Sequence, residues 1–374
     1  MFRIPLMKPY IPNSSKKNVL DVLNSGVLTE GIYTQRLEKA FTQYIGTSYA
    51  IGVTSCTTGL DLVLRALHIG PGDEVIVPDY TYPATAFAPM LLGATAVIVD
   101  ISPNTMLIDY NAIKQAITAK TKAIIPVSLF GNPLNWDELL CIKKEYPNIN
   151  IIEDAACSLG SQFRNIKTGA WGDAAVFSMH PRKNITTGEG GMITTNNKEL
   201  AESIQSIKHF GMDISKKLKG ETIFIQLGTN YKLSNIQSAI GEGQIQLIDS
   251  ILKQRATQVQ LYKELLKSLP IEIPETTSHS THAWQSFCII TPQRDQLLDH
   301  MRKAGIEIQI GTYALHLQPV FQQHPLCKIK GEMNGSQKAF THCCTLPLFH
   351  TMTVAEQKEV ISILAENLSS SNLM

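Results

Sequence analysis

The sequence lacks any long apolar run and any cluster of basic residues. No segment approaches the roughly twenty apolar residues that a membrane-spanning helix requires, and residues 1–12 carry charges and prolines rather than the apolar core of a signal peptide. The net charge is only +1, so neither nucleic acid nor a membrane surface is expected as a partner. We therefore expect a cytoplasmic protein.

Cysteine is sparse and shows no pairing motif. The seven cysteines are odd in number and include no Cys-x-x-Cys pair, so the sequence predicts neither a disulfide framework nor a metal site. Most of them are interpreted as small core residues. Cys157 is the exception, because it lies three positions after Asp154.

The apolar residues alternate between strand and helix spacing from about residue 48. With 44% hydrophobic residues, the 374-residue chain is long enough for a large domain and a smaller one. The predicted elements are strands at 49–53, 74–77, 96–99, 122–127 and 148–152, and helices at 58–67, 84–92 and 110–117. This βαβ alternation predicts a mostly parallel sheet with helices on both faces.

The pattern changes after about residue 250. The elements predicted there are strands at 284–290 and 306–310 and helices at 294–304 and 354–368. The last helix opens with a capping box formed by Thr353 and Glu356. We predict a large α/β domain over residues 1–250, a small α+β domain over 251–374, and a loose tail over 369–374.

Lys183 and Asp154 form the pair of residues that points most directly to a chemistry. Asp154 ends a β-branched run, which places it at the carboxyl end of a buried strand, where open α/β sheets bind ligands. Pyridoxal phosphate requires this pair: a lysine amine holds the cofactor, and a carboxylate keeps its pyridine nitrogen protonated. A solvated surface lysine and a turn-capping aspartate are the alternative interpretation.

Two further segments fit the same cofactor. Residues 54–59 lie between the first strand and the first helix, where backbone N–H groups, hydroxyls and the helix dipole favour an anion such as phosphate. Ser178 adds a hydroxyl, and Tyr82 follows the strand at 74–77, so its ring is available to stack on the pyridine. Taken alone, residues 54–59 are equally typical of a helix cap without a ligand. An aromatic residue after a strand, such as Tyr82, is more often a core residue when taken alone.

Several motifs in order along the chain resemble the DegT/DnrJ/StrS family of nucleotide-sugar aminotransferases. They are Ser-Gly-Val-Leu-Thr-Glu-Gly at 25–31, Glu-Asp-Ala-Ala at 153–156, Pro-Arg-Lys-Asn-Ile-Thr-Thr-Gly-Glu-Gly-Gly at 181–191, Gly-Thr-Asn-Tyr-Lys-Leu-Ser at 228–234 and Tyr-Ala-Leu-His-Leu-Gln-Pro at 313–319. The resemblance covers nearly the full length. It implies the fold-type I architecture of aspartate aminotransferase and pyridoxal 5'-phosphate as cofactor.

The resemblance also implies roles for individual residues. Lys183 would hold the cofactor, Asp154 would face its pyridine nitrogen and Tyr82 would stack on its ring. The residues implied at the phosphate are Thr57, Thr58, Ser178 and, from the partner subunit of a homodimer, Asn230. The residues implied in the sugar-binding cleft are Thr29, Tyr313 and His316. Without the resemblance, Asn230 would be an ordinary turn residue and His316 a satisfied core histidine.

Three positions depart from the family pattern. Cys157 stands where glutamine or histidine is frequent, which weakens the hydrogen bond expected to the cofactor's phenolic oxygen. Cys56 interrupts a motif usually written Ser-Gly-Thr, and Lys232 replaces a frequent arginine, which keeps the charge but loses the bidentate fork.

The resemblance predicts transfer of an amino group from L-glutamate to a nucleotide-linked ketosugar. The motif at 181–191 resembles members such as perosamine synthases, which favours a 4-keto-6-deoxyhexose and a role in surface polysaccharide, including lipopolysaccharide O-antigen. Lys183 argues against the 3-dehydratase branch, where histidine replaces this lysine. A 3-keto sugar, a keto-inositol, and a cofactor-binding sensor without turnover remain alternatives.

Overall fold

The computed structural model of the protein describes residues 2–217 and 219–370. The α-helices are α1 (Asn13–Ser25), α2 (Ile32–Ile45), α3 (Cys56–Ala66), α4 (Ala84–Leu91), α5 (Tyr110–Ala116), α6 (Trp136–Glu145), α7 (Lys198–Lys208), α8 (Ile214–Lys217), α9 (Asn235–Ile245), α10 (Ile248–Leu266), α11 (Arg294–Lys303), α12 (Pro319–Gln323), α13 (Asn334–His342) and α14 (Val354–Ser370). The strands are β1 (Tyr49–Val53), β2 (Glu74–Pro78), β3 (Tyr80–Thr81), β4 (Thr95–Val99), β5 (Thr121–Ile124), β6 (Asn150–Asp154), β7 (Gln162–Phe163), β8 (Ile166–Lys167), β9 (Ala174–Ser178), β10 (Gly191–Thr195), β11 (Ser280–Thr281), β12 (Phe287–Ile290), β13 (Gln309–Ile310), β14 (Tyr313–Ala314), β15 (Cys327–Lys330) and β16 (Cys343–Leu346).

The main sheet has eight strands in the described residues, in the order β1-β10-β9-β6-β5-β2-β4-β15. All strands run in one direction except β10, which is antiparallel to both of its neighbours. This confirms the predicted mostly parallel α/β sheet. The edge strand β15 comes from the segment after residue 250, so the sheet includes chain from both predicted domains; the division after residue 250 itself stays a prediction.

Alternating residues of the sheet supply two separate cores. Val75 and Val77 of β2 pack in one core with helices α3, α4 and α7, whereas Ile76 packs in another with α5 and α6. Both faces of the sheet are therefore covered, which explains why β2 is buried over its whole length. Because both faces are closed, polar chemistry is confined to the ends of the strands.

A third core lies in the C-terminal part of the chain. There β12, β16 and β13 form a three-stranded sheet packed against α10, α11 and α14. Ile4 of the N-terminal segment is buried in the same core and forms a β-bridge with Ile306. The first residues of the chain are thus anchored on its C-terminal part.

The strand and helix predictions agree with the structure in type but differ at several ends. The strand predicted at 284–290 begins only at Phe287, because Trp284 has φ 49° and therefore leaves the extended region. The strand predicted at 122–127 ends at Ile124, before Pro126, which has no N–H to donate. The capping box is confirmed, since the Thr353 and Glu356 side chains bond each other's backbone N–H groups.

The predicted loose tail is wrong in its first part. Ser369 and Ser370 belong to α14, because the helix continues beyond its last buried apolar side chain, Leu368. Residues 371–374 lie outside the described part of the chain. None of the described helices is both long and apolar enough to cross a membrane.

Candidate active site

A cavity of about 650 Å³ opens at the carboxyl ends of β6 and β9, beside the start of α3. Residues from β13, β14 and β16 close its other side. Seven of the predicted site residues line it: Thr57, Tyr82, Asp154, Cys157, Ser178, Lys183 and Tyr313. The sheet edge therefore brings together side chains that are up to 256 positions apart, from Thr57 to Tyr313.

Asp154 is a buried carboxylate held by an oxygen donor, a nitrogen donor and, more weakly, the Cys56 thiol at 3.9 Å. It is 5% exposed, and the Thr85 hydroxyl donates to its Oδ2 at 2.8 Å, while the Ala156 N–H donates to its Oδ1 at 3.1 Å. Burial raises the pKa of Asp154, and these two hydrogen bonds oppose part of that rise. A cation facing this carboxylate, such as a protonated ring nitrogen, would favour its ionised form.

Lys183 is half-buried on the loop between β9 and β10, and its Nζ donates to Cys157 Sγ at 3.1 Å. Burial, the largest single influence, lowers the pKa of Lys183. The hydrogen bond that the amine donates to Cys157 and the nearby Asp154 carboxylate favour the protonated amine and outweigh burial, so the net pKa is raised. The amine is consequently protonated at rest, and it must lose that proton before it attacks an aldehyde.

The start of α3 forms one end of the cavity. Ser55 caps this helix by accepting from the Thr58 N–H at 3.1 Å, and the Thr58 hydroxyl bonds back to the Ser55 N–H at 3.0 Å. Thr58 is therefore committed to the cap and does not line the cavity. Thr57 is exposed on the cavity wall, so its hydroxyl and the helix N-terminus are the groups available to a phosphate.

Two aromatic rings stand at the cavity mouth. Tyr82 is 66% exposed, and its ring lies 6.1 Å from that of Tyr313 with an interplanar angle of 62°. The pairing of β14 with β3 places them together, because Tyr313 opposes Thr81 in that ladder. Tyr82 is thus a solvent-accessible ring rather than a packed core residue.

Besides Thr58, three predicted site residues do not line the cavity within this chain. The ring Nδ1 of His316 lies 2.6 Å from Asp79 Oδ2, which agrees with a satisfied, half-buried histidine. Thr29 is exposed, and its carbonyl accepts from the Asn235 N–H at 2.9 Å. Asn230 is exposed and accepts a hydrogen bond from Lys232. The roles implied for these residues stay predictions.

The cavity also contains residues that the sequence interpretation did not single out. Thr85 and Gln309 reach it from α4 and β13, and neither has a local signal in the sequence. Arg182 and Glu189 belong to the motif at 181–191, so their proximity to Lys183 was visible there. Their side chains add a cation and an anion to the cavity wall.

These residues fit pyridoxal phosphate. An amine lies beside a cavity that also holds a buried carboxylate with two fixed donors, an exposed aromatic ring and a helix N-terminus suited to phosphate. Together with the parallel sheet, this arrangement defines a pyridoxal-phosphate-dependent enzyme of fold type I.

The particular family follows from comparison with known proteins. The DegT/DnrJ/EryC1/StrS aminotransferase family matches residues 9–365, and the chain belongs to this family. The protein is thus an aminotransferase that depends on pyridoxal phosphate.

Individual relatives resemble the chain over almost its whole length. The uncharacterized protein MJ1066 of Methanocaldococcus jannaschii is 34% identical over 98% of both chains. The PLP form of Spr1654 from Streptococcus pneumoniae is 28% identical, with a TM-score of 0.91 over 98% of this chain and 99% of that chain. Helicobacter pylori PseC, an aminotransferase involved in the biosynthesis of pseudoaminic acid, is 25% identical, with a TM-score of 0.91 over 98% of this chain and 99% of that chain.

Proposed function

We propose that the protein transfers the amino group of L-glutamate to a ketosugar linked to a nucleoside diphosphate. The acceptor is a 4-keto-6-deoxyhexose, and the product is an amino sugar for surface polysaccharide. The observation that carries the proposal is the Lys183 amine in one cavity with the buried Asp154 carboxylate. The similarity to PseC, which acts in pseudoaminic acid biosynthesis, supports a sugar as the acceptor.

The chain's own residues have distinct tasks in this reaction. Bound pyridoxal phosphate supplies an electron sink next to the carbon that loses its proton. Asp154 would hold positive charge at the ring nitrogen of the cofactor, and Tyr82 would stack on its ring. Lys183 Nζ first holds the cofactor and, once displaced, moves the proton from the α-carbon of the donor. Donor and acceptor use the same cavity in turn, so the kinetics are ping-pong.

The dimensions of the cavity suit an acceptor of this size. Its volume of about 650 Å³ falls within the range of roughly 300–1,000 Å³ found for small-molecule sites. The exposed rings of Tyr82 and Tyr313 at the mouth offer apolar faces to a sugar ring. We expect the loop that follows Tyr313 to determine whether the enzyme accepts a 3-keto or a 4-keto sugar.

We further propose that two copies of the chain form a homodimer with shared sites. The segment leading to Asn230 exposes four apolar side chains, from 44% for Ile223 to 97% for Leu227; the other two are Phe224 and Ile225. An exposed apolar patch of this kind is typical of a protein interface. A second copy covering it would bring Asn230 near a neighbouring cavity.

Absorbance of the bound cofactor tests the function directly. L-Glutamate should change the spectrum of the wild-type holoenzyme, and one nucleotide-linked 4-keto-6-deoxyhexose should restore it. The Lys183→Ala variant should show no conversion, because it lacks the amine that holds the cofactor and moves the proton.

Three other outcomes would change the assignment. Restoration only by a 3-keto sugar or a keto-inositol would overturn the acceptor. No response to any amino donor would indicate a cofactor-binding sensor. Turnover of Lys183→Ala at the wild-type rate would contradict the role of Lys183.

A further inference from the structure

Arg182 places a second cation in the cavity wall, next to Lys183 in sequence. Its side chain is exposed and lines the cavity. In the described residues no carboxylate lies within ion-pairing distance of its guanidinium. In this part of the chain the guanidinium therefore has no direct ion pair, although Glu189 lines the same cavity, and its charge is available to an anionic ligand.

The position of Arg182 is set by several hydrogen bonds. Its carbonyl accepts from Gln285 Nε2 at 2.7 Å, and its Nη1 donates to Gln309 Oε1 at 2.8 Å. Gln309 in turn donates from Nε2 to Glu307 Oε1 at 3.2 Å. The guanidinium is therefore held across the gap between the Lys183 loop and β13. Because only one of its five N–H groups is engaged within the described residues, it retains donors for a ligand.

Arg182 shares its cavity with the reacting amine. Arg182 and Lys183 are adjacent in the chain, and both side chains line the cavity. In an α-amino acid the carboxylate carbon is one bond, about 1.5 Å, from the α-carbon on which Lys183 acts. In a nucleotide-linked ketosugar the ring separates the phosphates from the reacting carbonyl.

We propose that Arg182 binds the α-carboxylate of the amino-acid donor, with Gln309 holding the guanidinium in place. This inference rests on the proposed transamination and deepens it by assigning the donor subsite. A planar guanidinium is suited to this task because it pairs with a carboxylate through two parallel hydrogen bonds. Orientation of the α-carbon toward Lys183 Nζ follows from that fixed pair.

Single-turnover measurements on the holoenzyme test the proposal. Arg182→Gln should weaken the apparent affinity for L-glutamate by about 10- to 100-fold, the range expected for losing a hydrogen bond to a charged group. Its affinity for the ketosugar in the second half-reaction should be unchanged. L-Glutamine keeps the α-carboxylate but has no γ-carboxylate. The Arg182→Gln variant should therefore lose as much affinity for L-glutamine as it loses for L-glutamate.

Two further variants separate charge from geometry. Arg182→Lys keeps the positive charge but cannot form two parallel hydrogen bonds, so it should lose less affinity for the donor than Arg182→Gln does. Gln309→Leu should also lose less affinity than Arg182→Gln. Arg36→Gln is the matched control, because Arg36 stacks on Tyr33 and does not line the cavity. It should behave as wild type in both half-reactions.

Three other outcomes would overturn the assignment. A loss confined to L-glutamate would assign Arg182 to the γ-carboxylate, a loss confined to the ketosugar would assign it to the phosphates, and unchanged affinity in both would remove any anion-binding role. If wild type accepts a different α-amino acid and not L-glutamate, the proposed donor fails. The Arg182 test then proceeds with the amino acid that does react.

Discussion

The Thr85 hydroxyl is the strongest of the hydrogen-bond donors that favour the ionised form of the buried Asp154 carboxylate. Thr85→Val removes the donor to Oδ2 while retaining the branched shape, so the pKa of Asp154, already raised by burial, should rise further. Because the role proposed for the ionised carboxylate is to pair with the cofactor's ring nitrogen, we expect about tenfold weaker cofactor binding near neutral pH. The loss should shrink as pH increases. Spectrophotometric titration from about pH 6 to about pH 9 measures both effects.

Thr85→Ser is the control for this prediction, because it restores the hydroxyl. It should bind the cofactor nearly as well as wild type across the same pH range. Equal affinity of Thr85→Val and wild type at every pH would show that the Ala156 N–H suffices to hold Asp154.

Helix α3 packs closely on strand β9, and both elements contribute residues to the wall of the cavity. A Cβ at Gly59 would lie 2.5 Å from Val176 Cγ1 and 3.3 Å from Ile193 Cγ1. Gly59→Ala should therefore push the helix away from the sheet and destabilise the protein by about 1–3 kcal/mol. Because Thr57 and Ser178 lie at the cavity ends of α3 and β9, cofactor affinity should fall as well.

Gly70→Ala provides a matched comparison for denaturant unfolding. The nearest atom to a Cβ at Gly70 is the Leu92 carbonyl oxygen at 3.7 Å, an ordinary contact distance. This variant should unfold close to wild type and bind the cofactor normally. Equal stability of Gly59→Ala and Gly70→Ala would contradict the claimed tightness of the α3 packing.

For the whole molecule, the proposed dimer predicts complementation between two inactive variants. Lys183→Ala and Asn230→Ala damage opposite contributions to a shared site, so a hybrid dimer contains one intact site and one doubly damaged site. Random reassortment should restore about a quarter of the wild-type activity. The measurement is activity after the two purified variants are mixed and allowed to exchange subunits.

The separate variants establish the baseline, since each should be strongly impaired alone. No recovery on mixing, with exchange verified by mass labelling, would mean that Asn230 does not act on its partner's site. A protein that sediments as a monomer at working concentration would remove the dimer proposal altogether.

The stability of the molecule should also depend on pH through Glu153. Burial raises the pKa of Glu153 to about 7, although Ser128 and the Gly169 N–H bond its carboxyl group. The folded protein keeps this group protonated up to about pH 7, whereas the unfolded chain ionises it near 4.5. The free energy of unfolding should therefore fall as pH rises from 4.5 to about 7, by about 3 kcal/mol.

Glu153→Gln checks this sign, because glutamine resembles the protonated acid and cannot ionise. At about pH 8 the variant should be as stable as wild type or more stable, and part of the pH dependence should disappear. Denaturant unfolding at equal cofactor concentration gives the comparison. A variant that loses stability above about pH 7 would indicate that the ionised carboxylate is the favoured form.

Local sequence was sufficient for β2, β6 and α3, whereas β9, β14 and β16, which also border the cavity, were not predicted. The β-branched run before Asp154 and the apolar alternation around Val75 determine buried parallel strands, because a strand covered on both faces has no other tolerable composition. The succession of strands and helices also placed Asp154 and Tyr82 at one sheet edge, and the chemistry of the Asp154 and Lys183 pair indicated the cofactor. The family motifs added Asn230, Thr29 and His316.

Only the tertiary structure decided which distant groups meet. Three hydrogen bonds in and around the site join residues that are far apart in the chain, so no local sequence pattern predicts them. They link Thr85 with Asp154, Arg182 with Gln309, and His316 with Asp79. The same holds for β15, an edge strand supplied from beyond residue 250. The sequence by itself determined the elements and the cofactor chemistry, because both depend on residue type and short spacing. Chain folding decided the contacts within the site, because they depend on how remote segments pack.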